Sequence, residues 1–153
     1  MEEKKYNKVK NTDKDIAVLK KINTIKISGV LLILCGICAL VIFLLNALEI
    51  VNMFEIGDAE SSSLQEFSLI GTCVMGIMTG VLCLIKINSP DWYGILYILS
   101  FCTIVINLFI VLSYGGNYSN YIPVIIIIIE SIFAFICVLM FRKIKSCGDS
   151  EID

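Results

Sequence analysis

Residues 122–141 read IPVIIIIIESIFAFICVLMF, which is twenty residues with a single acidic or basic side chain, Glu130. The isoleucine run is typical of a buried β-strand, but the stretch is far longer than an ordinary strand. Its length matches a helix that crosses roughly 30 Å of hydrocarbon at about 1.5 Å per residue. Lipid also admits only helices and closed barrels, because every backbone polar group must be paired there. The stretch therefore predicts a transmembrane helix.

Three further apolar runs of similar length lie before it, at residues 27–48, 67–85 and 93–112. Across the 153 residues, 58% are hydrophobic and 17% are charged, whereas soluble domains are about 45–50% apolar and about 25% charged. A soluble core in so short a chain could not bury this much apolar surface. The composition thus excludes a disordered chain and an ordinary soluble domain. We predict an all-α fold, an antiparallel four-helix transmembrane bundle with spans at 27–48, 67–85, 93–112 and 122–141.

The basic residues predict the orientation of these spans. All twelve Lys and Arg residues lie in the tail 1–26, at Lys86 or in the tail 142–153. The connection 49–66 holds five acidic residues and no basic one, and the connection 113–121 holds no charge. Cytoplasmic segments of membrane proteins carry the excess of Lys and Arg. We therefore expect a multi-pass protein of the cell membrane, with both termini and the turn at Lys86 in the cytoplasm.

The basic tail 1–26 leaves two interpretations open. Thr12 or Asp13 could cap a helix that places Ile16 and Leu19 on one side among several lysines, and such a helix would lie on the inner leaflet. A frayed basic segment fits the same residues equally well.

Glu130 is the only Asp, Glu, Lys or Arg within the four predicted spans, and it lies near the middle of its span. An isolated carboxylate at that depth is costly, so we expect Glu130 to be protonated, or to meet a cation or a partner subunit. On the third span, Ser100, Thr103 and Asn107 recur at i, i+3 and i+7 and form one polar stripe. We expect Glu130 to form a hydrogen bond with Asn107 or Thr103.

This intramembrane polar cluster has two interpretations. A carboxyl group within a span is by default a functional hypothesis, here a proton- or cation-binding site. Polar side chains also join helices in lipid, so the same residues could form a buried clamp that holds the helices in register.

The second span carries small residues at every fourth position, namely Ser68, Thr72, Gly76 and Gly80. Small residues on one face let two helices approach closely in lipid, where no hydrophobic effect drives association. The spacing predicts a helix-packing face. Its partner is either the first span of this chain or a helix of another protein.

Six of the seven cysteines lie within the predicted spans, and neither outer connection holds one, so a disulfide scaffold of the secreted kind is not expected. The segment Cys35-Gly-Ile-Cys38 is a CxxC pair. It resembles the motif of the vitamin K epoxide reductase family, which is also built on four spans, and the resemblance implies thiol–disulfide exchange at Cys35 and Cys38. This chain departs from that family, because the pair lies near mid-membrane and lacks relay cysteines. Otherwise both cysteines pack between helices as small apolar residues.

The layout of the whole chain also carries a resemblance. A basic tail enters a first span that contains Gly36, a glycine-containing second span ends at Lys86, a turn at Pro90 follows, and the fourth span ends on Arg142 and Lys143. This layout resembles the small four-span integral membrane proteins of low-GC Gram-positive bacteria. The resemblance implies the four-span arrangement and no particular activity.

The sequence predicts no catalytic residue, no metal site and no cofactor. It has no histidine, no nucleophile–base pair and no glycine-rich phosphate loop, and its net charge of −2 argues against a nucleic-acid partner. We expect a non-enzymatic accessory or protective subunit that acts through helix–helix contacts. Its partners would be the lipid bilayer and either a second copy or a larger membrane complex. The alternatives are a small transporter or channel component using Glu130, and a membrane thiol oxidoreductase using Cys35 and Cys38.

Overall fold

The computed structural model describes the backbone of residues 2–48, 59–113 and 122–149, and the side chains of residues 16–48, 68–112 and 122–144. The secondary structure of these residues is entirely helical. The four α-helices are α1 (Glu2–Ala47), α2 (Ala59–Lys86), α3 (Tyr93–Ser113) and α4 (Ile122–Asp149), and a short 3₁₀ turn at Pro90–Trp92 leads into α3.

Each helix contains a segment long and apolar enough to cross a membrane, as the sequence predicts. These segments are Ile16–Ala47, Ser68–Lys86, Pro90–Leu112 and Ile122–Ile144. The prediction of an all-helical protein with four such helices is therefore confirmed. Of the two predicted outer connections, 49–66 and 113–121, residues 49–58 and 114–121 lie outside the described residues.

Three helices extend beyond their predicted spans. The backbone of α1 is continuous from Glu2, so Thr12 and Asp13 lie within the helix and not at its beginning. Residues 2–26 contain neither proline nor glycine, and eight of them are Lys, a good helix former, so nothing in them ends a helix. Likewise α2 begins at Ala59 and α4 continues to Asp149. The apolar pattern indicates which residues would lie in lipid, whereas a helix continues as long as its backbone hydrogen bonds do.

The helices pack in the cyclic order in which they follow one another along the chain, because α1 contacts α2 and α4, and α3 contacts the same two helices. One apolar core draws on all four helices and contains Ile25, Leu32, Cys83, Ile87, Leu96, Ala134, Cys137, Phe141 and Ile144. A smaller core between α1 and α2 contains Ala39, Ile42, Leu69 and Cys73. Large apolar side chains are also exposed on every helix, among them Phe101, Phe109 and Phe135. A soluble monomer rarely exposes so much apolar surface, but lipid would cover it.

Glycines bring α1 and α2 into close contact. A Cβ on Gly80 would lie 2.5 Å from the carbonyl oxygen of Gly29, and a Cβ on Gly36 would lie 2.9 Å from that of Cys73. Side chains do not tolerate contacts this short with a neighbouring backbone, so only glycine fits at both positions. The two helix axes can approach because the side chains are missing there.

Candidate functional site

Glu130 lies on the interior face of α4. Its residue is 0% exposed, as are Ile127, Ala134 and Cys137 at i−3, i+4 and i+7. The residues on the other face of α4, such as Ile128 and Ile132, are exposed. This separation follows the helical period and turns the only acidic side chain of the span into the bundle.

The Glu130 carboxyl lies where all four helices meet. A Cβ on Gly76 of α2 would lie 3.1 Å from Oε1 of Glu130 and 3.2 Å from its Cδ, so the carboxyl rests against the bare glycine backbone. The Asn107 amide of α3 faces the carboxyl. Cys35 of α1 and Cys73 of α2 are near enough to interact with it electrostatically.

Three buried side chains, those of Glu130, Asn107 and Thr72, form what we call the unpaired cluster; Thr72 lies one helical turn before Gly76 on α2. Both oxygens of Glu130, the oxygen and nitrogen of the Asn107 amide and the Thr72 hydroxyl are buried, and none has a hydrogen-bond partner within residues 16–48, 68–112 and 122–144. Buried polar atoms are nearly always paired, and each unpaired one costs about 1–3 kcal/mol. The bundle thus keeps a group of polar atoms at a cost to its stability.

Among the residues whose side chains the structure describes, no contact of Glu130 with Asn107 or Thr103 has the distance and angle of a hydrogen bond, although the Asn107 amide is close enough to interact with the carboxyl. The Thr103 hydroxyl is engaged elsewhere, since it donates to the carbonyl oxygen of Leu99 at 3.0 Å and lies 2.9 Å from the Thr79 hydroxyl. The single hydroxyl hydrogen of Thr103 is used in the hydrogen bond to Leu99. The Thr79 hydroxyl is therefore the donor, and the Thr103 oxygen the acceptor, in the second hydrogen bond. Thr79 and Thr103 are both fully buried and paired, so they form a satisfied polar clamp between α2 and α3.

A second polar layer lies on the Lys86 side of this clamp. Ser100, the remaining member of the stripe predicted on α3, lies beside Cys83 of α2, and the thiols of Cys83 and Cys137 interact with each other. Ser28 of α1 contacts Cys137. Among the residues whose side chains are described, Ser100 finds no hydrogen-bond partner for its hydroxyl. The layer contains one small residue from each helix, all of them buried.

The small-residue face of α2 is buried throughout. Ser68 and Thr72 are almost completely covered. A Cβ on Gly76 would lie 3.0 Å from the Leu32 carbonyl oxygen, and Gly80 is the position against Gly29 described above. The two glycines therefore pack against α1 of the same chain.

Cys35 and Cys38 differ in exposure, although their thiols are near enough to interact electrostatically. Cys35 is half-buried and turned toward the Glu130 level, whereas Cys38 is exposed on the outside of the bundle. All cysteines whose side chains the structure describes are free thiols. The CxxC pair is thus divided between the interior and the surface that lipid would cover.

Sequence reasoning missed Thr79, Cys83 and Ser28 as parts of the polar interior. Thr79 precedes Gly80 and lies just beside the predicted small-residue face, so the face itself was the available signal for it. Cys83 and Ser28 are small residues of kinds that also occur on lipid-facing surfaces, so their types alone carried no signal.

These features define a multi-span helical membrane protein with a polar interior. Residues 16–48, 68–112 and 122–144 contain no group of three or more His, Cys, Asp or Glu side chains that could hold a metal ion. Comparisons with protein-family models, curated proteins and solved structures found no match to this chain.

Proposed function

We propose that this protein is a small membrane transporter or channel component whose working group is the Glu130 carboxyl, which binds a proton or a small cation between the four helices. One observation carries the proposal: a fully buried carboxyl group faces an equally buried amide, and both belong to the unpaired cluster. Evolution retains ionisable residues in lipid mainly where they bind or move ions. A proton or cation at this point would engage the oxygen atoms that the protein leaves unpaired.

The clamp alternative is less well supported, and the same bundle offers the comparison. The hydroxyls of Thr79 and Thr103 are paired to each other and to Leu99, as a register-holding contact requires. The atoms of Glu130 lack such pairing. A purely structural contact gains nothing from unpaired atoms, which destabilise the fold.

The accessory-subunit alternative acts through helix–helix contacts, and the small-residue face of α2 is one surface that could make them. Gly76 and Gly80 on that face are covered by α1 of this chain. The face is therefore not free to receive a helix of another protein, and it does not support that alternative over the ion site.

The arrangement that we propose for these helices is an antiparallel bundle with both tails in the cytoplasm of the cell. Gly29 of α1 lies against Gly80 of α2, and Gly36 lies against Cys73. The numbers rise along α1 as they fall along α2, so the two helices run antiparallel. The Lys21 ammonium donates to the Lys143 carbonyl oxygen at 3.2 Å, which brings the basic ends of α1 and α4 together. The positive-inside rule assigns such an end to the cytoplasm.

This orientation is tested by placing a tag at each terminus and treating intact cells with a membrane-impermeant reagent. We expect both tags to react only after the cells are permeabilised. Reaction of either tag in intact cells would contradict the proposed orientation. It would not contradict the packing of the four helices.

The ion site is tested in liposomes that contain the purified protein and trapped dyes that respond to pH, to Na⁺ or to K⁺. We expect an imposed gradient of H⁺, Na⁺ or K⁺ to change the internal concentration of that ion in the wild type, and E130Q to abolish that change. The matched control is S131A, since the neighbouring Ser131 hydroxyl bonds only to the Ile127 carbonyl oxygen at 2.8 Å and takes no part in the cluster. Equal flux in E130Q and wild type would contradict the proposal, as would the absence of flux in the wild type.

A further inference from the structure

We infer that the ion bound at Glu130 is a monovalent alkali cation, and that its ligands are the Glu130 carboxylate, the Asn107 side-chain oxygen and the Thr72 hydroxyl. The inference rests on the proposed function and names its ligand. These three side chains supply four oxygen atoms from three helices, all of them fully buried. Hard cations are bound by oxygen ligands of these kinds.

The contacts around the cluster place the three side chains at neighbouring levels of the bundle. The Glu130 carboxyl rests on Gly76, one helical turn after Thr72 on the same face of α2. Two contacts align α3 with α2. Thr103 of α3 is hydrogen-bonded to Thr79 of α2, and Ile110 of α3 is the nearest side chain to Gly71 of α2. Asn107 lies between these two points of contact, so it stands across from the segment of α2 that carries Thr72 and Gly76.

The charge of the site favours a cation of charge +1. Among the residues whose burial the structure describes, Glu130 is the only buried side chain of acidic or basic type. One carboxylate neutralises one positive charge, and a neutral pair is tolerated in a low-dielectric interior. A divalent cation would leave an uncompensated charge there, which is far more costly.

The number of unpaired atoms favours a cation over a proton. A proton on Glu130 supplies one O–H donor, which can pair with a single acceptor such as the Asn107 oxygen. The Thr72 hydroxyl carries its own proton and has no hydrogen-bond partner among the described residues, so a proton on Glu130 leaves it unpaired. A cation accepts several oxygen ligands at once, so it satisfies the carboxylate, the amide oxygen and the hydroxyl together.

The test measures how fast dicyclohexylcarbodiimide, a lipid-soluble reagent for carboxylic acids, modifies Glu130 in liposomes at fixed pH and ionic strength. The labelling reaction is run in NaCl, KCl or choline chloride. Mass spectrometry then identifies the modified residue. We expect Na⁺ or K⁺ to slow the labelling by about tenfold at a concentration about ten times its dissociation constant. Choline, which is too large for the cluster, should not protect.

Variants separate the ligands from their surroundings. T72V and N107A should remain labelled but lose the protection by alkali cations, and T72S, which keeps the hydroxyl, should restore it. T79V is the matched control on α2 and should stay protected, because Thr79 belongs to the clamp.

Two other outcomes overturn the inference in distinguishable ways. Labelling of Glu130 that depends on pH but is indifferent to Na⁺ and K⁺ would mean that the site binds a proton alone, and the proposed function would stand. Failure of Glu130 to react at any pH, together with full flux in E130Q, would overturn both. Retained protection in T72V and N107A would exclude these two residues as ligands.

Discussion

The Glu130 carboxyl on α4 packs against Gly76 on α2, where a Cβ would lie 3.1 Å from Oε1 of Glu130. The same Cβ would lie 3.0 Å from the Leu32 carbonyl oxygen of α1. The missing side chain at this one position therefore serves both the close approach of α1 and α2 and the placement of the carboxyl. Helix packing and the candidate ion site are joined at Gly76.

The glycine contacts between α1 and α2 should be essential for stability. We expect G80A to lower the free energy of unfolding by about 1–3 kcal/mol, because its methyl group would collide with the Gly29 backbone. G71A on the same helix should change it by less than about 0.5 kcal/mol, because the nearest atom to its Cβ is Ile110 Cδ1 at 4.0 Å. Unfolding by sodium dodecyl sulfate in mixed micelles measures both. Equal stabilities of the two variants would contradict the packing described for α1 and α2.

Replacing the unpaired carboxyl by an apolar group should stabilise the protein. We expect E130L to raise the free energy of unfolding by about 1–3 kcal/mol, since it removes buried atoms that lack hydrogen bonds. The measurement is made in choline chloride, so that no alkali cation contributes to the stability of the wild type. A loss of stability in E130L would instead identify Glu130 as a structural clamp.

The hydroxyls of Thr79 and Ser100 should differ in their contribution to stability. T79V removes the hydrogen bond to Thr103 and should cost about 0.5–1.5 kcal/mol. S100A removes a hydroxyl that has no partner among the described side chains, so we expect no loss or a slight gain. The same micelle titration compares them, and a larger loss in S100A than in T79V would be inconsistent with this assignment.

The proximity of Cys83 and Cys137 can be tested by oxidative cross-linking. Their thiols meet between α2 and α4, so we expect copper phenanthroline to join them within one chain. Digestion followed by mass spectrometry under non-reducing conditions detects the linked peptides. Cys102, which is exposed on α3, serves as the comparison and should not link to either. A cross-link from Cys102 to Cys137 in place of the expected one would require a different rotation of α3.

The CxxC pair should be dispensable for ion flux. The double variant C35S and C38S keeps small side chains at both positions, and Cys38 lies on the surface of the bundle. We expect its cation-dependent flux in liposomes to remain within about twofold of the wild type, a change of less than about 0.5 kcal/mol. Complete loss of flux would instead support a role for thiol chemistry. The single variants C35S and C38S would then identify the cysteine responsible.

The beginnings of two helices were predictable from residues that constrain the backbone. Pro90 forms the turn that precedes Tyr93, and Pro123 lies in the first turn of α4, where its missing amide proton costs nothing. The predicted spans therefore begin at Tyr93 and Ile122, as the helices do. Glu2 and Ala59, by contrast, begin helices well before the apolar pattern starts, because hydropathy reports contact with lipid and carries no information about helix continuation into water.

The partners of the polar residues were beyond sequence reasoning. Glu130 and Asn107 could be singled out because a carboxyl or an amide is rare in a span. Thr79 and Cys83 could not, since Thr and Cys are tolerated on any face of such a helix. The hydrogen bond between Thr79 and Thr103 depends on how far α2 and α3 are rotated about their own axes, and each rotation is set by packing against the other helices.

The amino-acid sequence alone determined that four apolar helices form, because length and hydropathy are properties of each segment by itself. It also determined that one carboxyl group lies deep among them. Only the tertiary structure decided that this carboxyl lies against Gly76, that Asn107 faces it, and that Thr103 pairs with Thr79 instead. Those relationships join different helices, and a helix–helix contact is fixed by the mutual fit of surfaces that no single segment contains.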